Sequence, residues 1–82
     1  MDKIEDMRNL INVIDDEIMA LLDERFTVSK KIGNQKALTK TNILDTKREK
    51  LIMDKTSKYS HSPEIGIVYK TIMDASKSLQ RK

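Results

Sequence analysis

The sequence predicts an all-helical protein of three helices, which are long, short and medium in chain order. An apolar stripe recurs at steps of three and four residues in the first part of the chain: Ile4, Met7, Ile11, Ile14, Ile18 and Leu21. This spacing is typical of one face of an α-helix. With two glycines and one proline in 82 residues, the chain has few of the turn-forming residues that a sheet protein needs between its strands. We expect residues 1–82 to form a single domain, because a chain this short makes one at most.

The first predicted helix is too long for the rest of the chain to cover. No proline interrupts residues 3–40, and the polar stretch 39–42 is the first loop signal. At about 1.5 Å per residue such a helix is about 55 Å long, whereas a globule of this chain length has a radius of gyration of about 12 Å. A lone chain would also bury only about 60% of its unfolded surface. We therefore expect an intertwined helical homodimer.

Cap-forming residues mark the start of two shorter helices. The segment Thr46–Glu49 fits a capping box and Asp45 is an N-cap in its own right, so the second helix should start at one of these positions. It should fade around Tyr59. Ser62 followed by Pro63 predicts the N-cap and the first position of a third helix, which runs to the end of the chain. The residues expected on its inward side are Ile65, Val68, Tyr69, Ile72, Met73 and Leu79.

Composition excludes several kinds of site and partner. With no cysteine and one histidine, the chain offers neither a disulfide framework nor a Cys-based or His-rich metal site. The 16 basic and 13 acidic residues are interspersed, which suits solvated helix faces better than a nucleic-acid arm. No uncharged apolar run could serve as a signal peptide or membrane span. We expect a cytoplasmic protein with no metal or cofactor, and with no nucleic-acid or membrane partner.

Two cations align on the apolar face of the first helix. Arg25 occupies a position in the stripe where an aliphatic residue is expected, and Lys36 lies eleven residues later. At about 100° per residue the two point the same way to within roughly 20°, about 16 Å apart along the axis. Because half-buried cations are costly unless they are paired, an anion should face them. The alternatives are that Arg25 lies over the core and extends to solvent, and that Lys36 is ordinary surface.

Polar residues also stand on the two shorter helices. Ser76 and Gln80 are four residues apart and continue the inward line of the third helix, where polar groups need partners. The alternative is that the helix end frays and both meet water. Asp45, Arg48 and Glu49 share the first turn of the second helix, where ordinary capping and an ion pair would account for them.

Arg8 differs from these residues in its position along the first helix. It precedes Arg25 by seventeen residues, so it is rotated by about 100° and displaced by about 25 Å. Within one chain it cannot reach the site of Arg25 and Lys36. It would reach the corresponding site of an antiparallel partner helix; the alternative is an ordinary surface arginine.

Taken in this order and spacing, several segments resemble the all-helical chorismate mutases. The segments are 7–11, 14–15, 21–25, 32–36, 43–49 and 67–76, followed by Gln80. The resemblance covers essentially the whole chain. It implies an intertwined dimer of three-helix protomers. The dimer has two active sites, and each site is completed by a residue from the other chain. The resemblance also implies the rearrangement of chorismate to prephenate in phenylalanine and tyrosine biosynthesis. Such domains occur in the family alone or attached to other enzymes of aromatic biosynthesis.

The resemblance further implies how chorismate would be held. Arg25 and the partner chain's Arg8 match the family's carboxylate-binding arginines. Lys36 and Gln80 match the donors to the ether oxygen of the breaking bond, and Lys36 also matches a residue near a carboxylate of the substrate. A planar guanidinium suits a carboxylate better than an ammonium does.

The remaining residues match other polar groups of the family's pocket. Glu49 corresponds to the acceptor of the ring hydroxyl, with the Asp45 backbone beside it, while Arg48 and Ser76 match further polar residues of the pocket. A lyase of the same fold that splits pyruvate from isochorismate is the first alternative, but its residue matching Glu49 is apolar. Further alternatives are a regulatory domain that binds a pathway ligand without turnover and a purely structural helical dimer.

Overall fold

Three α-helices make up the fold, and residues 2–81 contain no strand. In the computed structural model, which describes residues 2–81, α1 spans Lys3–Thr39, α2 spans Thr46–Thr56 and α3 spans Ser62–Gln80. The predicted all-helical class and the order of long, short and medium helices are confirmed. The 37 residues of α1 account for the 58 Å long axis of the molecule, since a helix rises about 1.5 Å per residue.

Local hydrogen bonds fix both ends of α1. At its start the Asp2 carboxylate accepts a hydrogen bond of 2.9 Å from the Ile4 N–H. At its end Lys40 takes a left-handed conformation with φ of 56°, and its N–H donates to the Lys36 carbonyl. The Thr41 N–H donates to the same carbonyl at 2.9 Å. This closes the helix at the polar stretch where the sequence predicts a loop.

The start of α2 confirms Asp45, one of its two predicted caps, and the start of α3 differs from the prediction. Asp45 is the N-cap of α2, since its carboxylate accepts from the Arg48 N–H at 3.0 Å. The capping box predicted at Thr46–Glu49 is wrong, because the Asp45 carboxylate already satisfies that end and Thr46 is helical. The N-cap of α3 is His61 instead of Ser62, and no side chain caps this helix. α2 ends at Thr56, and a turn occupies the following residues, including the predicted end at Tyr59.

The third helix is the centre of the packing and contacts both other helices. The residues buried between the helices are Ser29 and Gly33 on α1, Ile52 and Thr56 on α2, and Ile72, Met73 and Ser76 on α3. Of the predicted inward residues of α3, Val68 is exposed in the single chain. The other five are buried or half-buried, so the predicted inward face is confirmed for them.

The N-terminal half of α1 leaves its apolar stripe exposed in the single chain. Its six stripe residues are between 47% and 64% exposed: Ile4, Met7, Ile11, Ile14, Ile18 and Leu21. The radius of gyration is 16.1 Å, against about 12 Å for a globule of this length. A contiguous apolar surface of this kind marks an interaction site. No helix within residues 2–81 has both the length and the apolar character to cross a membrane.

Candidate active site

A cavity of about 590 Å³ lies where the three helices meet. Seven of the eight predicted site residues line it: Arg25, Lys36, Asp45, Arg48, Glu49, Ser76 and Gln80. The eighth, Arg8, is exposed near the far end of α1 and does not line the cavity. The fold therefore brings polar residues that are distant in the chain together around one concave cavity, which is typical of ligand sites.

Arg25 is oriented towards the cavity by two contacts with α3. Its Nη1 donates a hydrogen bond to the Ser76 hydroxyl at 2.5 Å. Its guanidinium carbon lies 6.0 Å from the centre of the Tyr69 ring, at the limit of a cation–π contact. Ser76 is buried and paired, so the alternative that it meets water at a fraying helix end is wrong. Because these contacts already order the half-buried Arg25 side chain, it loses less conformational entropy on binding an anion than a free surface arginine would.

Lys36 is held at the opposite end of the cavity. Its ammonium donates to the Ile43 carbonyl at 3.0 Å and to Gln80 Oε1 at 3.2 Å. The residue is half-buried, so the alternative of an ordinary surface lysine is wrong. Because an ammonium has three donors and a side-chain amide has two, Lys36 keeps one N–H and the Gln80 amide nitrogen remains available to a ligand.

The two aligned cations are held by neutral acceptors. Among residues 2–81, neither the Arg25 nor the Lys36 side chain lies within 4.0 Å of a carboxylate. The ion pairs formed among these residues involve His61 and Lys77 as the basic partners. The hydroxyl, carbonyl and amide oxygens fix the cations without neutralising them. The cavity therefore offers two cations that an anionic ligand can bind.

Three acidic residues line the cavity: Glu24 on α1, and Asp45 and Glu49 at the start of α2. Glu49 is half-buried, and its Oε2 lies 3.1 Å from the Lys77 ammonium on α3. The Asp45 carboxylate is used as the helix cap. Asp45 and Arg48 are exposed. Glu49 therefore offers the cavity a carboxylate oxygen that can accept a hydrogen bond.

Apolar side chains that the sequence reasoning did not single out as site residues form the rest of the wall. They are Leu21, Val28, Ile32, Ile43, Ile52 and Met73. Three of them belong to the face of α1 that carries Arg25, so helical periodicity was the signal that could have found them. An apolar wall lowers the effective dielectric and strengthens the polar contacts inside. Within residues 2–81, no group of three His, Cys, Asp or Glu side chains could hold a metal ion.

Two further residues shape the site and were missed. At Gly33 α1 and α3 approach so closely that an added Cβ would lie 2.5 Å from the Gln80 Cα. An isolated glycine within a helical pattern was the available signal, since it usually has a packing reason. Lys77 pairs with Glu49 across two helices, and nothing in the local sequence distinguishes it from a surface lysine.

Comparison with known proteins gives the family. A model described as "Chorismate mutase type II" matches residues 7–81. The chain belongs to this family. A bifunctional chorismate mutase/prephenate dehydratase of Aquifex aeolicus is 30% identical over 90 aligned positions, which cover 100% of this chain and 25% of the relative. A chorismate mutase of Methanocaldococcus jannaschii is 29% identical over 87 positions, covering 100% of this chain and 88% of the relative.

The chain thus spans about a quarter of the bifunctional relative and most of the Methanocaldococcus jannaschii one. No solved structure gives a significant match. Membership of the type II chorismate mutase family confirms the resemblance that the sequence predicts. The family match includes all eight predicted site residues, Arg8 among them, because it begins at residue 7.

Proposed function

We propose that this protein is a chorismate mutase, an isomerase that converts chorismate to prephenate in phenylalanine and tyrosine biosynthesis. Family membership supports this activity. The observation that carries the proposal is that two half-buried cations, Arg25 and Lys36, are held by neutral acceptors in one cavity. Chorismate carries two carboxylates, an enol-ether oxygen and a ring hydroxyl. The two cations can donate hydrogen bonds to its carboxylates.

The reaction explains why positioned donors are sufficient. In one pericyclic step the ether C–O bond breaks as a C–C bond forms, with no proton transfer, nucleophile or metal. Catalysis then comes from holding the compact, reactive conformer and from stabilising the charge that grows on the ether oxygen. Lys36 and Gln80 are the proposed donors to that oxygen. Their mutual hydrogen bond of 3.2 Å supports this role, since it holds both groups at one end of the cavity.

Arg25 is the proposed ligand of one substrate carboxylate. The Ser76 hydroxyl and the Tyr69 ring orient its guanidinium before substrate arrives, which lowers the entropic cost of binding. Because a guanidinium can donate two parallel hydrogen bonds to a carboxylate, Arg25 would fix the orientation of the substrate as well as its position. Ser76 would therefore act by holding Arg25, in addition to lining the pocket.

Arg8 is proposed to complete the site of a second copy of the chain in an intertwined homodimer. Arg8 is exposed and lies outside its own cavity, about 25 Å along the helix from Arg25. The exposed apolar stripe of α1 supports this assembly, because an antiparallel α1 packed on it would bury the stripe. The same packing would carry Arg8 of each protomer towards the Arg25 cavity of the other.

On the α2 side of the cavity, Glu49 is the proposed acceptor of the ring hydroxyl, with the Asp45 backbone beside it and Arg48 as a further polar contact. All three line the cavity. The ion pair between Glu49 and Lys77 supports a charged carboxylate in that position. This favours the mutase over the isochorismate pyruvate lyase, in which the matching residue is apolar.

The domain organisation and location of the protein stay predictions. The continuous family match over residues 7–81 supports a single domain. We retain from the sequence a cytoplasmic location and a mechanism without cofactor. The interspersed charges continue to favour a protein that does not bind nucleic acid.

A turnover assay with chorismate tests the proposal. We expect the chorismate absorbance to fall while prephenate forms in equal amount. Loss of chorismate without prephenate would contradict the mutase, and release of pyruvate from isochorismate would identify the lyase instead. The Arg25→Ala protein, purified in the same way, is the control, because a contaminating mutase would give equal activity in both preparations.

A further inference from the structure

Lys77 forms an ion pair at the cavity that none of the roles above requires. Its ammonium lies 3.1 Å from Glu49 Oε2 and 3.6 Å from Asp74 Oδ1. The side chains of Lys77 and Glu49 are 20% and 30% exposed, whereas that of Asp74 is 71% exposed. Lys77 and Glu49 line the cavity and Asp74 does not. The contact with Glu49 is therefore the less screened of the two.

Besides Lys77, three cations line the same cavity as Glu49: Arg25, Lys36 and Arg48. Each would attract a carboxylate that was free to move, and more strongly in a partly desolvated cavity than in water. Among residues 2–81 none of the three has a carboxylate within 4.0 Å. A Glu49 side chain that turned to one of them would compete with the carboxylates of the substrate.

We propose that Lys77 is a positioning residue, which holds Glu49 on the α2 side of the cavity and so keeps the other cations free for substrate. This inference rests on the proposed function. Lys77 directly follows Ser76 in α3 and lies three residues before Gln80. The same helix therefore holds Arg25 through a hydroxyl, Lys36 through an amide and Glu49 through an ammonium.

Lys77→Met tests the charge while it preserves the length of the side chain. We expect it to raise the KM for chorismate about tenfold and to leave kcat within about threefold, since a competing internal carboxylate opposes binding of the substrate. Lys77→Arg should restore most of the affinity. Asp74→Asn is the matched control, because it removes the other ion-pair partner of Lys77 and should leave the KM unchanged. Lys77→Gln is the second variant if the methionine protein does not fold.

The double variant with Glu49→Gln separates this role from a structural one. With no carboxylate at position 49, Lys77→Met should change the KM, and the Kd of prephenate measured by calorimetry, by less than about twofold. Equal fold-changes in both backgrounds would overturn the proposal, as would an unchanged KM in the single variant. A wild-type protein that does not convert chorismate would overturn the proposed function and this inference with it. An active wild type with an unaffected Lys77→Met variant would overturn only the role of Lys77.

Discussion

Gly33→Ala is expected to damage the active site without unfolding the protein. Gly33 lies within α1, where its backbone faces the last turn of α3. A Cβ at this position would lie 2.5 Å from the Cα of Gln80, 2.7 Å from its carbonyl oxygen and 3.0 Å from its carbonyl carbon. Ordinary contacts of a Cβ begin at 3.4 Å. All three atoms belong to the backbone, so the two helices must move apart by roughly 1 Å.

The cost to stability is small because two effects oppose each other. Overpacking of this kind destabilises a protein by about 1–3 kcal/mol. Alanine, however, favours a helix interior over glycine by about 1 kcal/mol. The net loss is therefore about 0–2 kcal/mol. The effect on catalysis is larger, since a displacement of about 1 Å in a catalytic group costs about 100-fold in rate. The displaced groups are the Gln80 amide and the Lys36 ammonium, which donates a hydrogen bond to the Gln80 amide oxygen.

The assay compares kcat for chorismate with the free energy of unfolding measured by urea denaturation. Gly66→Ala is the matched control in α3, where an added Cβ would meet Met53 Cε at 3.6 Å and Thr56 Oγ1 at 4.0 Å. It should stabilise the protein by about 0.4–1 kcal/mol and leave kcat unchanged. If Gly33→Ala retained wild-type kcat, the close approach of α1 and α3 would have no part in placing Gln80.

Three other predictions concern the anion site and the second copy of the chain. Arg25→Ala should stay helical by circular dichroism but lose about 10²–10³-fold in kcat/KM; a smaller loss would remove Arg25 from the site. Arg8→Ala and Arg25→Ala proteins, each inactive, should recover about a quarter of wild-type activity when mixed one to one, because each mixed dimer has one intact site. No recovery despite proven subunit exchange would refute the shared site. Ile14→Asp, which places a charge on the exposed stripe, should give monomers in sedimentation velocity and abolish activity; an active monomer would contradict the dimer.

The long helix was predictable because a single repeated pattern defines it. Apolar residues at helical spacing and the absence of proline fix α1 over nearly its whole length. The same periodicity shows that Arg25 and Lys36 lie on one face, and both line the cavity. Angles along one helix follow from residue numbers alone, so these two residues needed no knowledge of the tertiary packing.

Contacts between helices could not be predicted in the same way. The hydrogen bond from Arg25 to Ser76 spans 51 positions in the chain and that from Lys36 to Gln80 spans 44. Such pairs depend on how the helices cross, which sequence spacing does not determine. Helical periodicity singled out these four residues and the family resemblance gave them roles, but neither indicated Lys77 or the backbone contact at Gly33.

Capping shows a different limit. Both Asp45 and Thr46 have side chains that can cap a helix, and their preferences differ by little. The choice is decided by which carboxylate or hydroxyl reaches a free N–H, and the Asp45 carboxylate reaches that of Arg48. Once Asp45 takes this position, Glu49 is released from the capping box and its carboxylate extends to Lys77. A local choice at the helix end therefore leaves the Glu49 carboxylate available to Lys77 at the cavity.

Under the proposed function, the cavity also explains how a small helical chain would accelerate a demanding reaction. A pericyclic step needs a fixed substrate conformer and a fixed distribution of charge, and rigid helices are well suited to hold both. Here α3 is the common support, since it contributes the acceptors for Arg25 and Lys36 and the cation for Glu49. Because those acceptors are neutral, ordering the cations does not cancel their charge. Their electrostatic field therefore remains available for the substrate and for the oxygen on which charge develops.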